Sequence, residues 1–322
     1  MNNFKKIGLT ALAGSLVATS VYAGEMSVAG SASWRISNHA GTDGGKTMAM
    51  GNQLTFTGSG EMDNGMNVAL SFILDQGDNS VGATKNETTA TGEAPFDSHS
   101  ITVSSDAMGS ITFAGEGASS AQNTIDTTAA GDIWDNTFAS YTKPTNASAG
   151  SKTLLWTLPS MVDGLGVVTS YNASSAGEEA TIGYALTYTG VEGLSVSYGV
   201  GEVGDTTAGT GGREVTTMKA SFAFGPVTAA MSINDYDITG ATANEEQSSY
   251  KVSYTVSDEL SVSYGSETHE TVGGTDEEFD QISVSYTTGG LTASVSQTSA
   301  ENVTGATNTD QQKWNIGLSF AF

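Results

Sequence analysis

The sequence predicts an all-β fold: a 16-stranded antiparallel transmembrane β-barrel with short periplasmic turns and long external loops. Three observations carry this. Segment after segment alternates apolar and polar residues, which is the period of a strand with two different faces. Short and long connections alternate as well, as expected of a barrel inserted from one side, with both termini in the periplasm when the strand number is even. Helix is disfavoured, because 40 Gly and long tracts of Ser, Thr, Ala and Val stand where Leu, Lys and Glu would fill helices, and Pro is only 4.

The chain opens on an export leader. Lys5 and Lys6 precede an apolar run from Ile7 to Ala18, and Val21-Tyr22-Ala23 puts small residues where a signal peptidase cuts. Residues 1–23 are therefore expected to be a signal peptide, with the β-barrel occupying 24–322. The apolar run is about half of what a membrane-spanning helix needs, and no other stretch comes closer to that length.

From Glu25 the strands follow in order. Met26, Val28, Gly30, Ala32, Trp34 and Ile36 share one face of the first. Leu54, Phe56, Gly58, Gly60 and Met62 align in the second, and Asp63-Asn64-Gly65 turns it into a third with Val68, Leu70, Phe72 and Leu74. Ile101 and Val103, then Ile111 and Phe113, mark a weaker fourth and fifth around Ser105 to Gly109. Leu154, Trp156 and Leu158 give a sixth, and Asp163-Gly164 leads to Leu165, Val167 and Tyr171 in the seventh.

The pattern then strengthens. Ile182, Tyr184, Leu186 and Tyr188 turn through Gly190 to Gly193 into Leu194, Val196 and Tyr198, the eighth and ninth. Met218 to Phe224 turns at Gly225-Pro226 into Val227 to Ile233, Tyr250 to Val256 turns at Ser257-Asp258-Glu259 into Leu260 to Tyr264, and Ile282 to Tyr286 turns at Gly289-Gly290 into Leu291 to Val295. Trp314, Ile316, Leu318, Phe320 and Phe322 form the sixteenth. One class of connection runs two to five residues and the other mostly a dozen or more; the longest, Glu116 to Lys152, joins the fifth and sixth strands.

Sixteen strands enclose more space than their own side chains fill, so the interior is expected to be a water channel lined by the polar partners on each strand, such as Gln53, Thr55, Thr57, Ser261 and Ser263. Eight tyrosines (171, 184, 188, 198, 250, 254, 264 and 286) fall in the apolar register. This suits aromatic girdles at the membrane interfaces, where the ring is in lipid and the hydroxyl in water.

The formal charge is −24, from 11 Lys plus Arg against 35 Asp plus Glu; loss of Lys5 and Lys6 with the leader leaves nine bases against 35 acids, −26. No basic stripe exists to meet phosphates, which excludes nucleic acid as a partner. Cysteine is absent, which excludes disulfides, thiolate metal sites and cysteine nucleophiles. His39, His99 and His269 are scattered without metal-ligand spacing, and no nucleophile has an arranged base, so no enzyme is expected. Gly199-Val200-Gly201-Glu202-Val203-Gly204 matches a dinucleotide fingerprint, but a Gly/Thr loop stands where the helix must begin. No cofactor is expected. Acid-rich stretches such as Asp276-Glu277-Glu278 offer carboxylates to divalent cations bridging to lipopolysaccharide, although a solvated loop is the default.

The terminal run, with Trp314, Ile316, Leu318, Phe320 and Phe322 at every second position and Phe at the end, resembles the assembly signal of the general bacterial porin family. The resemblance covers Glu25 to Phe322. It implies an outer-membrane homotrimer placed by the outer-membrane assembly machinery, in contact with lipid and lipopolysaccharide and passing ions and small hydrophilic solutes by passive diffusion. It also implies that the third external loop folds inward to narrow the pore, which assigns the constriction to Glu116, Asp126, Asp132 and Asp135. The Pro-Glu-Phe-Gly sequence of enteric members is missing from this loop, and the barrel has no cluster of arginines. Arg35, Lys219, Lys251 and Lys313 lie in the lumen-facing register and are the basic residues expected to oppose the loop.

A weak cation preference is therefore expected. Small outward residues at Gly30, Ala32, Gly58 and Gly60 mark the expected trimer contact. A substrate-specific channel shares all these features. A secreted β-rich adhesin would instead show a fixed short repeat and no alternation of loop lengths.

Overall fold

The computed structural model describes residues 24–40, 45–75, 98–133, 144–149, 152–173, 180–204, 213–238, 244–271, 274–307 and 309–322; the leader expected over 1–23 lies outside them. The described chain forms β1 (Glu25–Ala40), β2 (Gly45–Glu61), β3 (Asn67–Asp75), β4 (Ser98–Ser105), β5 (Gly109–Glu116), β6 (Thr153–Thr157), β7 (Leu165–Asn172) and β8 (Thr181–Val191). It continues with β9 (Leu194–Glu202), β10 (Arg213–Phe224), β11 (Val227–Ile238), β12 (Glu245–Thr255), β13 (Leu260–Thr271), β14 (Glu277–Thr288), β15 (Leu291–Glu301) and β16 (Gln311–Ala321). Each strand pairs with its sequence neighbour, and β1 pairs antiparallel with β16 to close the barrel. Closure leaves no edge, which a sheet in hydrocarbon requires, since an unpaired backbone group there has no water to turn to.

The two faces divide as the alternation predicts. All eight register tyrosines point outward, 40–56 % exposed, alongside Leu186, Val196, Met231, Val252, Ile282, Val284 and Ile316. Near the upper edge the Tyr264 hydroxyl donates to Asp280 Oδ1 at 2.6 Å, so the ring stays in the apolar band while its oxygen reaches the polar rim. Inside, cross-strand hydroxyls meet one another: Thr102 with Thr112 (2.9 Å), Thr187 with Ser197 (3.0 Å) and Ser263 with Ser283 (2.7 Å).

Two expectations are corrected. Most external connections are shorter than a dozen residues, because the strands continue beyond the apolar band into the polar surroundings. The first connection is only 41–44, the fourth 173–180 and the seventh 272–276, while 76–97 and 117–152 remain long. Apolar alternation marks the lipid-facing part of a strand and falls silent where both faces are wet, although the ladder goes on. The second correction concerns Gly30. Phe322 N–H donates to Gly30 O (2.9 Å) and Gly30 N–H to Phe322 O (2.7 Å), and a Cβ on Gly30 would stand 2.5 Å from the Phe322 ring. Gly30 is therefore not bare outer wall, because the terminal ring covers it at the seam of the barrel.

Candidate functional site in the lumen

The third external connection runs from the end of β5 to β6, and its described parts, 117–133 and 144–149, pack on lumen-facing residues of β7 to β15. Strand parity decides the side: Ser170, Thr217, Ser232, Asn234 and Ser249 alternate with outward apolar residues, Glu267 continues the inward register opposite Val262 and Tyr264, and all are buried. The segment therefore lies inside the barrel.

It is held along its length by the wall. Ala121 N–H donates to Ser170 Oγ (2.8 Å), and the Ser232 hydroxyl donates to Thr127 O (2.8 Å). Ala130 N–H donates to Ser249 Oγ (2.8 Å) and Ile133 N–H to Glu267 Oε2 (2.9 Å). Ser249 in turn donates to Glu267 Oε1 at 3.2 Å. Apolar contacts add to these, with Ala130 and Ile133 joining Phe279, Ala300 and Val303, and Ala121 and Ile125 joining Ala185. Burial of these groups inside an otherwise polar lumen stabilises the inward path, at roughly 25 cal/mol per Å² of apolar surface covered.

The wall makes room by omitting side chains. A Cβ on Gly199 would lie 2.9 Å from Ile125 Cδ1, one on Gly201 2.6 Å from Ala147 Cβ, and one on Gly265 2.8 Å from Ala130 Cβ. Gly199 and Gly201 belong to the false dinucleotide fingerprint, so that run of glycines has a structural purpose in seating the inward segment. Sequence pattern alone did not find these anchors. The only signal was a set of glycines and hydroxyls in lumen register, which any aqueous wall also contains.

The acids named from sequence separate. Asp126 and Asp132 are exposed and lie six apart around buried Thr128. Thr128 N–H donates to Asp126 Oδ1 (3.1 Å), its hydroxyl donates to Asp132 Oδ1 (2.6 Å), and Asp132 N–H donates back to that hydroxyl (2.9 Å). Asp132 takes φ 53° and follows Gly131 at φ 92°, so the chain turns sharply there. Glu116 instead closes β5 at the root of the segment, lining a 170 Å³ cavity with Ser71, Ser100, Ser119 and Thr153. Asp135 lies outside the described residues.

The bases also separate, and most do not face the acids from across the lumen. Lys219 on β10 sits beneath the segment, its Nζ donating to Asp126 Oδ2 (2.7 Å) and Thr128 O (2.9 Å). Lys251 on β12 lies close by, its Nζ 3.9 Å from where a Cβ on Gly131 would stand. Lys313 on β16 is buried within the wall, 3 % exposed. Arg35 on β1 is half-buried, with Gly317 and Ala49 as its cross-strand neighbours.

The alternation of β14 splits Glu277 from Glu278, the first buried toward the lumen and the second exposed outward. Among the described residues no group of three or more His, Cys, Asp or Glu is placed to hold a metal ion. At the end of the barrel Trp314, Ile316, Leu318, Phe320 and Phe322 share the outward face, with Ile316, Phe320 and Phe322 the most exposed.

Comparison with known proteins agrees with this architecture. A family model described as Gram-negative porin matches residues 8–322. No curated protein sequence matches the chain. Among solved structures, an anion-selective porin from Comamonas acidovorans superposes with a TM-score of 0.67 at 11% identity, covering 93% of this chain and 100% of that one. A triple mutant of the Rhodopseudomonas blastica porin gives 0.65 at 14% identity, covering 92% and 100%. A loop-deletion mutant of OmpT, an outer membrane protein of Vibrio cholerae, gives 0.64 at 13% identity, covering 93% and 100%.

Proposed function

Because the chain belongs to the Gram-negative porin family, and is thus an outer-membrane channel rather than an enzyme, we propose that it passes ions and small hydrophilic solutes by passive diffusion with a weak preference for cations. One observation carries the preference. The segment held inside the lumen presents the Asp126 and Asp132 carboxylates on its exposed face, while Lys219 is already bonded to one of them and Lys313 is buried. Fixed negative charge between low-dielectric walls holds mobile cations. The Comamonas acidovorans relative is anion-selective, so within this fold the sign of selectivity follows lumenal side chains and has to be argued chain by chain. The test is the reversal potential of the purified protein in a planar bilayer under a potassium chloride gradient at low salt; a sign showing chloride preference rejects the reading.

The same reading assigns residues 1–23 to a cleaved leader, the terminal Trp314 to Phe322 pattern to recognition by the assembly machinery, and the functional unit to a homotrimer. The trimer is supported by the bare outer wall at Gly58 and Gly60, bordered by an apolar groove of Phe56, Phe72, Val68 and Leu70. Small residues allow two barrel walls to approach closely. Native mass spectrometry in mild detergent is expected to give three copies, each starting at Gly24; a monomer, or a chain retaining Met1 to Ala23, rejects the corresponding part.

A further inference from the structure

The two arms of the inward segment meet at one side chain. Gln122, fully buried, lies in the short 3-10 turn Gln122–Thr124 of the outgoing arm. Its Nε2 donates to Thr217 Oγ1 on β10 (2.6 Å) and to Asn146 Oδ1 on the returning arm (3.2 Å), and its Oε1 accepts from Ala147 N–H (2.8 Å). Thr217 passes the chain on to Asn234 Oδ1 (2.6 Å), and Asn234 Nδ2 closes it by donating to Thr145 O (3.0 Å). Every polar group of the amide is used, and the circuit joins both arms to β10 and β11.

We propose that Gln122 is the positioning residue that fixes how far the segment projects into the lumen, and so sets the size cut-off of the pore. This rests on the reading of the segment as the constriction. The chemistry demands an amide of this length. Two donated bonds and one accepted bond diverge from one planar head, which neither a carboxylate nor a hydroxyl supplies. The wall cooperates, because a Cβ on Gly199 would stand 3.1 Å from Gln122 Cα, so the arm rests against backbone with no side chain between. The Ser249 and Glu267 anchors hold the far end, at Ala130 and Ile133. Gln122 bonds the two arms directly, through Asn146 and Ala147, while Thr145 and Ser148 tie the returning arm to the wall, so the loss of Gln122 frees the outgoing arm from a returning arm that stays anchored. The barrel ladders do not involve Gln122, so its loss is expected to disturb the pore before the wall.

Gln122→Ala in the full-length protein tests this in planar bilayers, with uncharged polyethylene glycols of graded size as the probe and heat-modifiable migration as the check on folding. The expected result is a folded barrel whose single open level breaks into several sublevels and which admits glycols the parent excludes. A folded variant with one unchanged level and an unchanged cut-off overturns the proposal. If the alanine variant yields no folded barrel, Thr217→Val, which removes the wall partner of Gln122 together with its link to Asn234, is read by the same two results. Thr124→Trp, on the exposed face of the same turn, separates the two ideas. Reduced conductance there with no effect at Gln122 rejects only the positioning role, whereas unchanged conductance rejects the constriction reading and the role of Gln122 with it.

Discussion

At the seam between β1 and β16 the absence of one side chain allows another to be placed. A Cβ on Gly30 would stand 2.5 Å from Phe322 Cε2 and 2.9 Å from Leu54 Cδ2, and the two residues exchange both backbone hydrogen bonds. The terminal ring thus packs over the first strand and completes the closed ladder. Gly30→Val is expected to cost about 1–3 kcal/mol by overpacking, read as a lower urea midpoint for the barrel refolded in detergent. Deletion of Phe322 should impair membrane assembly far more than replacement of Ala321, because Ala321 faces away from this contact and keeps its backbone bond to Gly290 O at 2.8 Å. Normal yields of heat-modifiable barrel without Phe322 would refute the assembly role. The same packing explains a misplacement made from sequence, where Gly30 looked like bare outer wall because its partner lies at the other end of the chain.

The outer ends of β11 and β12 show what an element does once it leaves the membrane. Outward positions on β11 read Val227, Ala229, Met231 and Ile233, then Asp235 and Asp237; on β12 they read Tyr254, Val252 and Tyr250, then Ser248 and Glu246. Asp235 and Glu246 are direct cross-strand partners beyond the apolar band, and Glu246 faces Glu270 on β13. Partial burial, then repulsion from Asp237, raises the Asp235 carboxyl above its usual range; burial, then Asp235 and Glu270, raises Glu246. A raised carboxylate binds its proton more tightly folded than unfolded, so stability falls as pH rises through the carboxylate range and the cost is fully present at neutral pH. Asp235→Asn is therefore expected to stabilise the barrel at pH 7 by roughly 0.2–1 kcal/mol, the scale of a cross-strand like-charge pair, and to flatten the pH dependence of the urea midpoint; a lower midpoint at pH 7 counts against it. The membrane-crossing part of each strand was legible because water and lipid impose period two on residues such as Tyr250 and Val252. The outer extensions were not, since Asp235 and Ser248 alternate with nothing apolar. The third loop was legible by its length and acids, whereas the pairing of Lys219 with Asp126 was not, because it depends on where the chain returns 93 residues later.

For the whole molecule, the balance of nine bases against 35 acids in the expected mature chain makes a negative vestibule the default, and the lumen modifies it locally. Lys219 cancels much of the Asp126 field at short range, because the pair is 2.7 Å apart. The Asp132 carboxylate accepts from the uncharged Thr128 hydroxyl and is exposed to water. Selectivity should therefore rest more on Asp132 than on Asp126, with Arg35 across the barrel opposing both. Removing Lys219 should free a second carboxylate, so Lys219→Met is expected to increase cation preference, while Asp132→Asn reduces it and Asp126→Asn, which leaves the Lys219 charge uncompensated, reduces it no more than that. Salt sets the range over which these differences can be read. The Debye length is about 10 Å at 0.1 M and about 3 Å at 1 M, so the reversal potential under a fixed potassium chloride ratio should shrink as the mean concentration climbs and approach zero near the upper limit. Preference that persists undiminished at about 1 M would point to direct ion coordination instead of a diffuse field, and a Lys219→Met channel no more cation-preferring than its parent would show that the Asp126 pair does not control the pore.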